Sequence, residues 1–533
     1  MQSGLTRRSF LKAGCLAAGT AFWSGCGSLG QNSVQRRPNI VIIYADDLGY
    51  GDVSCYNPVR GRISTPNMDK IALEGMRFTD AHSSSGVCSP SRYTLLTGRY
   101  HWRSRLQSGI VGLWDTPLIA EDRLTLGTLV KHKGYNTATV GKWHLGLDWQ
   151  ILPEEKEYVQ KVNRNNFSEE HRTAWKKIFS RSIKGGPTAR GFDSYFGVNI
   201  PNWPPYCFIE DDHTVGIPDH ILQSENLAKN MASMQGPALQ DWNLHEVLPT
   251  LTDRACKFIT QAAQKSEPFL LYFSMTSPHT PLAVNEPWRG KSGLDSAYAD
   301  FVLETDAVMG QVLQSLEKSG VAENTLVIVT SDNGCAHYAD VPHLEAQNHF
   351  PSGPFRGYKG DIWEGGHRVP FIVRWPGVVA PGTICDGLVH QADLMATVAD
   401  VASIHLPDNA GEDSFSLMPI LKGHTDNVRE HAIMSSQGGL IALRMGTWKL
   451  IVGRGGGGKW SRYSAEPASP AVGQLYNLDK DIAEQNNLYD QEPERVEQML
   501  ALLGELVGKG RSTIGSDQPN DVDVNYLRFL RKS

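Results

Sequence analysis

The sequence contains no apolar run long enough to span a bilayer. Its one mildly apolar stretch near the start, Leu16 to Phe22, is far too short. It lacks the Cys-x-x-Cys, His-Glu-x-x-His and paired Cys/His spacings that hold zinc, so zinc chemistry is not indicated. Cysteine is sparse, eight in 533 residues. A fold that depends on disulfides is therefore not expected. Excess charge of one sign is missing too: 51 Lys and Arg stand against 57 Asp and Glu, a formal net charge of −6. That balance argues against general nucleic-acid binding. It still leaves room for a local basic cleft that takes a polyanion. Gly453 to Gly458 is glycine-rich, but no Gly-Lys-Ser/Thr follows. The stretch reads as a flexible hairpin loop and not as a phosphate cradle. No internal repeat is present.

What is present is an alternation of buried strands and helical stretches. Ile40–Tyr44, Thr137–Val140, Phe269–Phe273, Leu326–Thr330 and Phe371–Arg374 read as strands buried on both faces. Pro66–Glu74 and Asp300–Leu316 read as helices between them. The fold class is α/β: a large, mostly parallel sheet sandwiched by helices. Residues 36–423 are expected to form this catalytic domain. Residues 424–533 are expected to form a smaller α+β domain, with strands at 432–434, 440–444, 448–451 and 475–477. A helix from Pro493 to about Val507 follows them, with apolar Val496, Met499, Leu500, Leu503 and Leu506. The polar segment from Pro153 to Lys184 reads as a helical surface insertion.

Ligands of such sheets bind beyond the carboxyl ends of the strands. Four groups of chemically capable residues stand at those ends. Asp46-Asp47 follows the first strand, Lys142 and His144 the second. His279 follows the third, and Asp332-Asn333 the fourth. Asp46, Asp47, Asp332 and Asn333 offer only oxygen, which suits calcium or magnesium and not zinc or copper. Three carboxylates brought together would repel one another without a cation.

The run Cys88-Ser89-Pro90-Ser91-Arg92-Tyr93-Thr94-Leu95-Leu96-Thr97-Gly98-Arg99 resembles the signature of type I sulfatases, in which the cysteine is oxidised to formylglycine (3-oxoalanine). Ser89 is expected to cap a short helix, with Pro90 in its first turn and Gly98 at its end. The free N–H groups of that helix would face residue 88 and an anion bound there. Further blocks carry the same resemblance: Ala45-Asp46-Asp47-Leu48-Gly49, Gly141-Lys142-Trp143-His144-Leu145-Gly146, Ser277-Pro278-His279-Thr280-Pro281, Ser331-Asp332-Asn333-Gly334 and Gly357-Tyr358-Lys359-Gly360. The resemblance runs from about residue 38 to 490.

This resemblance implies an alkaline-phosphatase-like fold and an arylsulfatase-like sulfuric ester hydrolase. It implies a cation held by Asp46, Asp47, residue 88, Asp332 and Asn333. Calcium is expected over magnesium, because many oxygens come from the protein. It implies that the hydrated formylglycine at 88 attacks sulfur, while Lys142 and Lys359 neutralise sulfate oxygens and Arg92 orients the nucleophile. His279 would protonate the departing oxygen, and His144 would take the proton that lets sulfate leave. The implied partners are a sulfated carbohydrate and a formylglycine-generating maturation enzyme.

Thr6-Arg7-Arg8-Ser9-Phe10-Leu11-Lys12 resembles a twin-arginine export motif, so residues 1–30 read as a signal handed to the twin-arginine translocase. Ser24-Gly25-Cys26 resembles the end of a lipobox, although Trp23 departs from its usual Leu-like residue. Lipidation at Cys26 and ordinary cleavage are both open. The expected location is periplasmic or lipid-anchored at the cell surface.

For the substrate, Trp203, Pro204, Pro205, Tyr206 and Trp242 are candidates for stacking on sugar rings. The segments 353–357 and 367–370 resemble sulfatases acting on sulfated galactose or galactosamine. Two rival functions remain at this stage. One is a phosphonate or phosphate monoester hydrolase of the same superfamily. The other is an inactive surface lipoprotein that binds sulfated glycans.

Overall fold

In the computed structural model the described residues are 37–160, 167–223, 234–459 and 471–530. Arg7, Arg8 and Cys26 lie outside them. The main sheet has ten strands. In chain order they are β1 (Asn39–Asp46), β2 (Met76–His82), β3 (Asn136–Lys142), β4 (Ser194–Val198), β5 (Ile209–Glu210) and β6 (His213–Thr214). After a separate two-stranded hairpin, β7 (His220–Leu222) and β8 (Gly236–Ala238), come β9 (Phe269–Pro278), β10 (Thr325–Ser331), β11 (Phe371–Arg374) and β12 (Thr383–His390). Their order across the sheet is β12-β2-β11-β10-β1-β9-β3-β4-β5-β6.

The centre, β10-β1-β9-β3-β4, is parallel throughout. Strand β11 is antiparallel to both of its neighbours, which the apolar run Phe371–Arg374 could not reveal. Two reversals bring β2 back into line with β10. The carboxyl ends of β1, β2, β3, β9 and β10 therefore share one edge. Along β1 the side chains alternate between two cores. Ile40, Ile42 and Tyr44 enter one; Val41, Ile43 and Ala45 enter the other. That alternation is why the strand reads as one continuous apolar run.

The second sheet is antiparallel: β13 (His431–Ser435), β14 (Ile441–Met445), β15 (Trp448–Ile451) and β16 (Gln474–Asn477). On one face Ile433, Leu443, Leu450 and Leu475 pack against Val496, Met499, Leu503 and Leu506 of the helix Pro493–Gly508. Each such buried side chain is worth roughly 1.5–3 kcal/mol. The other face, with Met434, Ala442 and Ile451, packs on Ile362, Trp363 and Leu388. Through those contacts the small sheet sits against the Lys359 segment. The helix Glu169–Phe179 lies within the 153–184 segment and is anchored by fully buried Trp175. Among the described residues all six cysteines are free.

Candidate active site

Cys88 follows β2 by six residues and opens the helix Cys88–Thr97, every residue of which is buried. The cap is Val87, not Ser89. Ser89 instead accepts the Val111 N–H at 3.1 Å, which ties the helix start to the loop that meets His144. Gly98 ends the helix at φ 66°, and a Cβ there would lie 2.5 Å from Met395 Cβ. Only glycine suits that close left-handed turn.

The strand edge gathers the expected residues around Cys88. Its thiol lies 3.7 Å from Asp46 Oδ1. Lys142 Nζ meets Asp46 Oδ2 at 2.7 Å, and Lys359 Nζ meets Asp47 Oδ1 at 2.6 Å. Arg92 spans the floor. Its Nη2 reaches Asp332 Oδ2 at 2.8 Å and Asp46 Oδ1 at 3.5 Å. Its Nη1 donates to the Lys142 carbonyl and to Ser274 Oγ. Asn333 Nδ2 donates to Asp47 Oδ1 at 2.7 Å. The Asp47 N–H donates to Asp332 Oδ1 at 3.0 Å. Asp47 holds φ at 66°, a left-handed backbone that aims its carboxylate into the cluster. Sequence reading missed Tyr338, whose hydroxyl donates to Asp47 Oδ2.

The two histidines differ in tautomer. His144 Nε2 lies 3.2 Å from the Val111 carbonyl, which only accepts, so Nε2 carries the proton. Its Nδ1 is buried and has no partner among the described residues. His279 is the reverse: Nδ1 donates to the Thr280 carbonyl at 2.6 Å, and Nε2 lies 3.6 Å from Asp47 Oδ2. Burial holds both well below the ordinary histidine range, helped by Lys142 and Arg92 at His144 and by Lys359 at His279.

The oxygens of Asp46 and Asp47, with the Oδ1 of Asn333, suit a hard divalent cation. Asp46, Asp47, Cys88 and His279 bring their ligand atoms within 4.8 Å of one another. Asn333 Oδ1 is a buried acceptor without a donor among the described residues. Burial and the Asp46 charge push Asp332 up to about 6, against the pull of Arg92. Burial alone would raise Asp47, but Lys359, His279 and Lys142 hold it below the carboxylate range. Three carboxylates are balanced here by Lys142, Lys359 and Arg92. A divalent cation added to that balance leaves a net positive site, suited to an anionic ester.

A cavity of about 360 Å³ opens over Cys88, with His144, His279, Lys359 and Tyr338 in its walls. Trp203 also lines it. Tyr206 and Trp242 do not line it. Tyr206 is buried, and Trp242 packs on Phe208 with ring centroids 5.0 Å apart. These two are packing residues, clustered with Leu222 and Ala238 of the β7-β8 hairpin. The segments 353–357 and 367–370 do not line it either. Arg356 stacks on Trp363, and Arg368 pairs with Glu364 at 2.9 Å and Asp80 at 3.1 Å inside the protein.

Comparison with known proteins identifies the family. The family model described as Sulfatase matches residues 38–404. The N-acetylgalactosamine-6-O-sulfatase of Bacteroides thetaiotaomicron is 31% identical over 529 residues, 92% of this chain and 97% of the relative. Human arylsulfatase A is 30% identical, covering 86% of this chain and 84% of its own. A solved 6S-sulfatase from the glycosaminoglycan metabolism of Bacteroides thetaiotaomicron superposes with a TM-score of 0.73 at 28% identity, over 89% of this chain and 99% of that one. With those matches over most of its length, the chain belongs to the sulfatase family and is a sulfuric ester hydrolase on the alkaline-phosphatase-like fold.

Proposed function

We propose that this sulfatase removes the 6-sulfate of N-acetylgalactosamine units in a sulfated glycan. The observation that supports the hydrolytic reading is the placement of Cys88 at the cavity floor, between two lysines and two histidines of opposite tautomer. The choice of sugar is supported by the full-length similarity to the Bacteroides N-acetylgalactosamine-6-O-sulfatase.

Cys88, once converted by a maturation enzyme, supplies a hydrated-aldehyde hydroxyl as the attacking oxygen. Asp46, Asp47, Asp332 and Asn333, with residue 88, suit calcium better than magnesium, and such an ion would screen the charge on the sulfate oxygens. Lys142 and Lys359 flank residue 88 from both carboxylates and favour the charge that builds on the sulfate group. Arg92 is locked from below and keeps residue 88 and Asp332 in fixed relation. His144 takes a proton at Nδ1, the nitrogen its Val111 bond leaves open. His279 can give a proton from Nε2 to the departing sugar oxygen once it has taken one up there, because its resting tautomer carries the proton on Nδ1. Its Nδ1–H stays anchored on Thr280, and nearby Asp47 favours the charged ring.

The test is sulfate release from defined sugars by protein coexpressed with a formylglycine-generating enzyme. The panel is N-acetylgalactosamine 6-sulfate, its 4-sulfate isomer, an aryl sulfate and an aryl phosphonate. Release from the 6-sulfate at the highest kcat/KM supports the proposal. Faster hydrolysis of the phosphonate, or of the 4-sulfate, rejects it.

We also propose twin-arginine export, carried by Arg7-Arg8, to the periplasm or to a lipid anchor at Cys26. Replacing both arginines by lysine should strand the protein in the cytoplasm. Normal export of that variant would refute the route. A mature N-terminus other than Cys26 would remove the anchor alone.

A further inference from the structure

Behind Asp47, on the side away from Cys88, runs a second set of buried polar residues. Asp52 belongs to the short turn Tyr50–Asp52, Tyr298 to the helix Ala297–Lys318, and His349 to the loop after the helix Val341–Ala346. All three are at most 1% exposed. None touches the cavity. Buried polar side chains of this kind are kept only where each has a partner.

Their hydrogen bonds converge on the Asp52 carboxylate. The Arg62 backbone N–H donates to His349 Nδ1 at 3.0 Å. Nδ1 is thus the acceptor, and Nε2 carries the proton. Nε2 donates to Asp52 Oδ1 at 2.8 Å. Asp52 Oδ2 accepts the Gly49 N–H at 2.8 Å and the Tyr298 hydroxyl. The single hydrogen of that hydroxyl is shared with the backbone carbonyl of Asp47, 3.0 Å away. Among the described residues it is the donor that reaches this carbonyl.

The carbonyl matters because Asp47 sits at φ 66°, where residues with a Cβ are rarely found. Such a conformation persists only where its surroundings over-determine it. From the front it is held by its N–H on Asp332 Oδ1 and by Asn333 and Lys359 on its carboxylate. From the back it is held by Tyr298. The loop is tight as well: a Cβ on Gly49 would lie 2.4 Å from the Pro351 carbonyl and 2.7 Å from Asp52 Oδ2. Glycine there lets the Asp46-Asp47 loop close on Asp52 and on the segment that carries His349.

We propose that Tyr298, oriented by Asp52 and His349, is a positioning residue that fixes the left-handed backbone of Asp47 and so presents its carboxylate to the cation site. The proposal rests on the reading of Asp47 as a cation ligand. Groups that orient metal ligands from behind affect affinity and activity by about 10–100-fold when removed.

The experiment uses the full, matured enzyme with Tyr298→Phe, which deletes one oxygen, and with Asp52→Asn, His349→Gln and His349→Ala. Three quantities are read. They are calcium affinity by competition with a fluorescent chelator, kcat and KM on an aryl sulfate, and amide exchange in peptides covering residues 45–49. Tyr298→Phe should lose about 10–100-fold in calcium affinity and in kcat, with KM nearly unchanged. Exchange should speed up at residues 45–49 and not in the helix that carries Tyr298. His349→Gln, which keeps a donor near the Nε2 position, should retain more activity than His349→Ala. Wild-type affinity, kcat and exchange in Tyr298→Phe overturn the proposal. So does a lower melting temperature with those three values unchanged per folded molecule. If the parent enzyme turns over substrate yet binds no calcium, the cation reading fails. The exchange comparison at 45–49 then decides the positioning role by itself.

Discussion

Arg92 Nη2 and Asp332 Oδ2 form an ion pair of 2.8 Å, and neither side chain has any exposure to solvent. Arg92 donates at the same time to the Lys142 carbonyl and to Ser274. One guanidinium thus joins the ends of β3, β9 and β10 beneath Cys88. Breaking a buried pair by removing one partner costs about 3–5 kcal/mol, because the other charge is left without compensation. Arg92→Ala should lower the melting temperature sharply and abolish activity. Arg92→Lys should recover part of the stability and little activity, since an ammonium cannot bridge three acceptors in a plane. Thermal melts and kcat/KM of both variants check this. Full activity in Arg92→Lys would show that charge alone suffices.

The thiol of Cys88 is pushed up to about 12 by burial, although Lys142 and Lys359 pull it down. An unmodified Cys88 would therefore be protonated at neutral pH and a poor nucleophile. Activity should rise with the fraction of residue 88 converted to formylglycine, measured by peptide mass spectrometry. Protein made without the maturation enzyme should carry free cysteine and hydrolyse sulfate esters at background rate. Cys88→Ala should fold normally and be inactive. Strong turnover by the Cys88→Ala protein would sink the covalent route.

His144 and His279 should be separable by leaving group. An aryl oxide departs with little help from a proton, whereas a sugar alkoxide needs one. His279→Ala should therefore cost about 10²–10⁴-fold on a sugar sulfate and much less on an aryl sulfate. His144→Ala should slow both substrates alike, because its proton transfer at Nδ1 follows departure of the alcohol. Equal losses on both substrates for His279→Ala would contradict its role as the acid. A rate burst before slow turnover in His144→Ala would support the later step.

The strand ends were legible because buried parallel strands are continuous apolar runs, and each of Asp46, Lys142 and Asp332 stands at or just beyond the end of one. Strand β2 was not. Its sequence Met-Arg-Phe-Thr-Asp-Ala-His carries charged residues, yet Asp80 and His82 are buried in an internal network with Arg368, Arg444 and Glu364. Polar groups satisfied inside the protein erase the alternation that marks a strand. The start of the Cys88 helix was displaced for a related reason. Ser89 has cap chemistry, but Val111 claims its hydroxyl. Tyr298 and His349 had no local signal at all. They lie 246 and 297 residues from Asp52, and only the fold brings them together. Asp52 alone carries a local signal, because Gly49 and Gly51 beside the acidic pair mark a tight backbone approach.

His101 supplies the pH prediction. It is buried beyond Gly98 and bridges the loop before Cys88 to the small sheet. Its Nδ1 lies 3.0 Å from Ser84 Oγ and its Nε2 2.9 Å from Ser435 Oγ. Burial pushes its pKa down to about 3. An unfolded histidine titrates near 6.5. Between those values the unfolded chain binds a proton that the native protein refuses. The group's contribution to stability is thus fully present above about pH 6.5 and is lost progressively as the pH falls toward 3. The slope from this one group approaches about 1.4 kcal/mol per pH unit. Other buried histidines add to the acid sensitivity of the whole protein, so the informative quantity is a difference between variants. His101→Gln can still bond one serine and cannot be protonated. It should melt below the parent at pH 7.5, and its melting temperature should fall less steeply between pH 6.5 and 4. The two curves should converge in acid. Parallel curves over that range would show that His101 takes up no proton on unfolding and would remove it as a source of acid lability.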